Sequence, residues 1–318
     1  MDTFSKERPK LLGTKRKFAP VGDAGLQVSE LLPHFKHIAN DVAFVRTVAT
    51  DIFNHAPAKL FVNTGSAQSG RPSLGSWLSY GIGSESKDLP AFVVLQSGGR
   101  GPRGGAPLWG SGFLPTAHQG VPFRSMGDPI VSLSSPPGID QQIQGETVEA
   151  LADLNRLHQQ STGDSEITTR IKAYEMAFRM QTSVPELADI SQESKATLAT
   201  YGPEVTRPGS YAANCLLARR LLERDVRFVQ LFHRGWDQHV ALSRQLPNQC
   251  QDIDQPTAAL IKDLKARGLL EDTLVIFATE FGRTAFTQGG FGNPASGRDH
   301  HGRCFSVFLA GGGIKPGF

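Results

Sequence analysis

The sequence predicts an α/β fold: a three-layer sandwich with a mostly parallel central sheet and a helical insertion. Three observations lead there. Short apolar runs bounded by polar residues recur, as expected of strands covered on both faces. Between residues 212 and 278 helix, strand, helix and strand alternate at the spacing of right-handed crossovers. Residues 140–200 turn helical and polar, outside that alternation.

The elements follow in order. Ser29 to Ala39 reads as a short helix behind a Ser cap, with Leu31, Leu32, Phe35 and Ile38 as its apolar positions. Asp41 to Val48 reads as a strand. Asn54 to Asn63 is a helix with Pro57 in its first turn, closed by Gly65. Ser73 to Tyr80 is a second helix, and Ala91 to Leu95 a buried strand. Residues 97–139 are dense in Gly and Pro and read as a surface excursion over one end of the sheet. In the insertion, Leu151, Leu154 and Leu157 share one face, followed by Ile171, Tyr174 and Phe178. Ala212 to Glu223 is a helix and Arg227 to Phe232 a strand. Asp252 to Arg267 is a helix stopped by Gly268, Thr273 to Ala278 a strand, and Phe305 to Leu309 a further apolar run. All of this fits one domain over residues 1–318.

Composition narrows the function. A net charge of +3 gives no electrostatic case for nucleic acid. Six basic residues, Lys6, Arg8, Lys10, Lys15, Arg16 and Lys17, read as a solvated arm. Cys215, Cys250 and Cys304 are too far apart for a thiolate knuckle and suggest no disulfide framework. No run of about 18 apolar residues exists to span a membrane, and Met1 to Ala19 lacks the apolar core of a signal peptide.

Polar groups collect where strands end. Arg227 to Phe232 runs into His233-Arg234-Gly235-Trp236-Asp237-Gln238-His239, and Thr273 to Ala278 runs into Thr279-Glu280-Phe281-Gly282-Arg283. Val42 to Val48 runs into Asp51-Ile52-Phe53-Asn54-His55, and Gly297-Arg298-Asp299-His300-His301-Gly302 precedes Phe305 to Leu309. In a parallel sheet the first three share the edge where ligands bind. The His300–His301 loop is long enough to fold back to it. Carboxylate and imidazole suit a divalent ion: zinc, with manganese or calcium as alternatives. Asp237, His239 and His301 are the candidate ligands of one ion, Glu280 could bridge to or hold a second, and His300 is a further candidate. Lys59, Arg283 or Arg298 could neutralise an anionic ester. Plainer readings stand beside these. A Glu after a strand often caps a helix, and His300 and His301 could be loop residues paired with Asp299 and Arg298.

Several motifs resemble one family. They are Leu31-Leu32-Pro33-His34, Phe53-Asn54-His55-Ala56-Pro57-Ala58 with Thr64-Gly65, and Gly70-Arg71-Pro72-Ser73 with Gly75-Ser76-Trp77. Ser134-Ser135-Pro136-Pro137-Gly138-Ile139-Asp140, Glu280-Phe281-Gly282-Arg283-Thr284 and Gly297-Arg298-Asp299-His300-His301 complete the set. Together they resemble the family labelled domain of unknown function 1501, over nearly the whole chain. The resemblance implies an alkaline phosphatase-like fold and a sulfatase-like, metal-dependent hydrolase of phosphate or sulfate esters, small or glycan-borne. It also implies a bacterial, exported, extracytoplasmic protein. On that pattern the chain lacks a twin-arginine leader, a first strand with an acidic ligand, and a last strand and helix.

The resemblance carries to residues. Asp237 and His239 resemble the superfamily's Asp-x-x-x-His ligands at a shorter spacing. Glu280 falls where the Asp of Ser-Asp-His-Gly sits, and Phe281 where its His sits. His301-Gly302 resembles the last histidine ligand. His55-Ala56-Pro57-Ala58-Lys59 with Asn63-Thr64-Gly65 keeps the spacing of the sulfatase Cys-x-Pro-Ser-Arg motif. His55 therefore replaces the nucleophilic Cys, and Lys59 the Arg. Either His55 is a nucleophile or ligand, or water attacks directly. The other expectation is a non-catalytic module that keeps the fold and binds a glycan or protein. The oligomeric state is left open.

Overall fold

Two small three-stranded sheets, each backed by helices, make up the centre of the computed structural model, which describes residues 11–98, 101–124, 138–164, 166–289 and 295–318. Before them lies an antiparallel hairpin of β1 (Phe18–Val21) and β2 (Leu26–Ser29). The turn residues Gly22-Asp23-Ala24-Gly25 separate its strands. The hairpin follows the basic residues of the expected arm, of which Arg16 donates from Nη2 to Ser243 O at 3.1 Å. Lys6, Arg8 and Lys10 lie outside the described residues.

The helix expected over Ser29–Ala39 shrinks to one 3-10 turn, Phe35–His37. Pro33 interrupts the segment, and its next two N–H groups are drawn to another element. The carboxylate of buried Asp254 accepts from His34 N (2.7 Å) and Phe35 N (3.0 Å). Tertiary hydrogen bonds here outweigh a helical pattern.

Next come β3 (Val42–Val48), α1 (His55–Thr64), α2 (Leu74–Ile82) and β4 (Phe92–Ser97). Gly65 stops α1 at φ 70°, and its N–H reaches Phe61 O. Ser73 caps α2 by accepting from Ser76 N. The Gly/Pro-rich excursion holds two 3-10 turns, Ala106–Trp109 and Thr116–His118, then the edge strand β5 (Val121–Pro122). Residues 99–100 and 125–137 of that excursion, including Ser134 to Pro137, lie outside the described residues.

The insertion resolves into α3 (Gln141–Thr162), α4 (Glu166–Ala188) and α5 (Lys195–Tyr201). Then follow α6 (Tyr211–Leu222), β6 (Phe228–His233) and α7 (Leu242–Ala266). α7 begins ten residues before the expected start at Asp252 and tolerates Pro247 and Pro256. Pro247 has no N–H for Ser243 O, and the Arg16 guanidinium supplies that carbonyl with a donor. The chain ends through β7 (Leu274–Phe277), β8 (Gly282–Arg283), β9 (His300–His301) and β10 (Phe305–Gly311).

The sheet pattern corrects the expected fold class. There is no mostly parallel three-layer sandwich among the described residues. β5-β4-β6 is parallel, but β3-β10-β7 is antiparallel, with β10 inserted between the other two strands. The alternation over 212–278 does not build one sheet, because β6 joins β4 while β7 joins β10. An apolar run fixes that β10 is a strand; its direction is decided by its neighbours.

Each sheet has its own core. Leu89, Val93, Leu95, Val184, Leu187 and Leu221 pack the parallel sheet against α4 and α6. Phe35, Val42, Ile261, Leu264 and Phe308 pack the antiparallel sheet against α7. Cys215, Leu216, Tyr201 and Ala259 join α5, α6 and α7. No described helix is long and apolar enough to cross a membrane.

Candidate metal centre

The reversed direction of β10 assembles the site. Phe305 at its start pairs with Val48 at the end of β3, and Phe308 pairs with Phe277 at the end of β7. The segment before β10 therefore already lies at the edge where β3 and β7 finish. The His300–His301 loop need not fold back. Thr50 N donates to Gly302 O at 2.7 Å and ties the two segments together.

Four residues meet there: His55, Asp237, His239 and His300, each offering one ligand atom within 4.8 Å of the others. His55 opens α1 and is buried. Asp237 and His239 lie in the loop after β6, and His300 lies on β9. Asp237 Oδ1 is 2.9 Å from His55 Nε2, 2.8 Å from His239 Nε2 and 3.1 Å from His300 Nε2. The Nε2 atoms of His239 and His300 are 2.9 Å apart. Tetrahedral ligands about 2.0–2.1 Å from zinc stand about 3.3 Å from one another, so these separations match such a shell to within a few tenths of an ångström.

The partners of the other ring nitrogens fix the tautomers. His55 Nδ1 is 2.7 Å from Glu280 Oε1, His239 Nδ1 is 2.6 Å from Gln288 Oε1, and His300 Nδ1 is 2.6 Å from Phe53 O. Each partner is an acceptor, so each Nδ1 carries the hydrogen and donates. In that tautomer three Nε2 lone pairs point at one place beside a carboxylate. His55 Nε2 is enclosed and makes no hydrogen bond. Such an arrangement is repulsive without a cation, and the Nδ1 contacts are those that orient metal-binding histidines. The residues fit a divalent ion of the zinc class.

Electrostatics favour the same state. Burial pushes the Asp237 carboxyl up, while the hydrogen bond from the Arg283 guanidinium draws it down, and the net result lies well below the usual carboxylate range. Glu280 is likewise raised by burial and lowered further by His55 and Lys59, for a net fall. Burial lowers His300 as well.

The remaining candidates divide. Glu280 stands behind His55 as an acceptor, and Lys59 Nζ is 3.6 Å from it, one turn along α1. Arg283 Nη2 donates to Asp237 Oδ1 (2.7 Å) and Trp236 O (2.9 Å), and Nη1 to Arg298 O (3.2 Å). It positions Asp237. Arg298 is spent on Thr284 O and Leu12 O. His301 stays outside the group of four and pairs with Gly282; adjacent residues on a strand point to opposite faces. Phe281, in a position where a histidine was expected, packs on the rings of His55 (5.0 Å) and His300 (4.4 Å). It forms an apolar wall to the site.

Two features were missed from sequence. Gln288 gave no signal, because an isolated Gln is read as surface. Arg103, on the excursion, places Nη1 3.9 Å from Asp237 Oδ2 and is 65% exposed, free to swing toward a ligand. Gly297 had a signal in its motif: a Cβ there would lie 2.2 Å from His239 C, so only glycine lets the strand bearing His300 approach the His239 loop.

No curated protein matches the chain, and no solved structure does. The family model described as protein of unknown function (DUF1501) matches residues 2–318, and the chain belongs to that family.

Proposed function

We propose that the chain is a metal-dependent hydrolase of phosphate or sulfate esters, acting outside the cytoplasm, with one divalent ion held by His55, Asp237, His239 and His300. The observation that supports it most is the convergence of three imidazole Nε2 atoms, each with its Nδ1 already donating, on one carboxylate oxygen. A bound divalent ion would supply Lewis acidity toward an ester oxygen. The chain's own residues do the rest. Arg283 orients Asp237. Phe281 excludes water from one side. Lys59 and Arg103 are the cations placed to meet an anionic group.

His55 is not the nucleophile in this reading. Its Nδ1 donates to Glu280 and its Nε2 lone pair is the one that would hold the ion, so none is left for attack. The attacking group is left to water. Metal analysis of the purified chain, with a panel of aryl phosphates, phosphodiesters and sulfates, tests the proposal. One ion per chain with turnover on at least one ester class supports it; no metal and no turnover overturns it.

One observation favours the second reading, a binding module that keeps the fold without turnover. Four protein ligands complete a tetrahedral shell, the pattern of structural zinc. Stoichiometric metal without turnover on any ester would select it.

A further inference from the structure

The leucines of the insertion are apolar residues without a core. Leu154 is 63% exposed and Leu157 64%, with Leu151 and Ile143 at 40% and 42%. They lie on α3, whose opposite face is already used. Gly145 lets the ring of Phe178 on α4 approach, and Ala152 is buried with Ile167 and Ile171 of α4. Ile143, Thr147, Ala150, Leu154, Leu157 and Ser161 follow one another at spacings of 4, 3, 4, 3 and 4, all exposed. That is the a/d rhythm of a two-stranded coiled coil, sustained over about 27 Å of helix at 1.5 Å per residue. No described residue covers this seam.

We infer that the seam pairs with the same seam of a second copy of this chain, α3 against α3, parallel and in register. The flanking residues choose both occupant and direction. Glu146 and Asp153 border one side of the seam, Leu151 and His158 the other. A parallel pair sets Asp153 opposite His158 of the second copy, and leucine against leucine at positions 154 and 157. An antiparallel pair would bring the acidic edges together. Closed two-fold pairing also fits a single self-complementary stripe.

Sedimentation equilibrium on the full chain tests this over about a hundredfold range of concentration, in which a reversible dimer must shift by mass action. The expected result is a dimer at the high end that the paired substitution Leu154→Glu, Leu157→Glu reduces to monomer throughout. Both positions face solvent, so circular dichroism and metal content of that variant should match the parent. Leu154→Cys in a Cys304→Ser background should form an interchain disulfide under mild oxidation. A parent that stays monomeric, or a dimer that survives the paired glutamates, overturns the inference. A dimer without the disulfide overturns the parallel register.

Discussion

Two polar clusters of this molecule are built on opposite terms. Around Arg219, three cations meet three anions. Its guanidinium lies 2.7 Å from Glu193, 2.5 Å from Glu223 and 3.1 Å from Asp263, while Arg220 reaches Glu193 and Arg267 reaches Glu223 and Asp263. Tyr201 adds a hydroxyl to Asp263 at 2.9 Å. That cluster balances its own charge and joins α6 to α7 and to the turn before α5. The cluster at His55, Asp237, His239 and His300 does not balance itself: acceptors face acceptors. The first explains its own geometry. The second is a group that could hold a metal ion, which separates a fastening from a candidate site.

The contrast can be tested from both sides. The largest effect should come from Arg219→Met, which removes the buried guanidinium that bridges Glu193, Glu223 and Asp263. A loss of about 3–5 kcal/mol in urea unfolding is expected, typical of a broken buried pair, with metal stoichiometry unchanged. Retained stability would mean the cluster fastens little. Chelation should act on the other cluster. Removing metal that had been present at about a thousand times Kd should cost about 4 kcal/mol, read as a fall in Tm. Asp237→Asn should show no metal-dependent Tm at all.

Smaller effects sharpen the same comparison. Gln288→Leu removes the acceptor that orients His239 and should weaken metal binding about 10–100-fold, by competition with a chromophoric chelator. The charge-balanced cluster should show itself in acid instead. Burial raises the Glu193 carboxyl, but Arg219 and Arg220 outweigh this and hold it below its ordinary 4.5. Its stabilising contribution is therefore present above that value and is lost as pH falls through the lower folded value. Glu193→Gln should flatten the acid limb of a stability–pH profile.

Much of the site was legible because strand-end positions are a property of chain order. His55, Asp237, His239 and His300 each sit just outside an apolar run, and such runs are readable. What was not legible depended on partners. Nothing in Phe305 to Leu309 encodes that β10 runs antiparallel between β3 and β7. The choice between His300 and His301 rests on which face of β9 each occupies, and a two-residue strand has no period to read. The acceptors behind the rings, Gln288 and Phe53 O, are a lone amide and a backbone group. The β1–β2 hairpin has strands of only four residues, too short for a clear alternation, although Gly22-Asp23-Ala24-Gly25 between apolar residues is a turn signal. Asp254 overrode the helical pattern near Phe35 from more than two hundred residues away.

On the proposed reading, three histidines and one aspartate hold a single divalent ion. X-ray absorption at the metal edge of the zinc-loaded chain tests it most directly. The expected result is one ion per chain with about four N/O ligands at 2.0–2.1 Å, the imidazole scattering pattern of three histidines, and loss of that signal in Asp237→Ala and His300→Ala. An ion count near zero, or a spectrum without imidazole scattering, would contradict it.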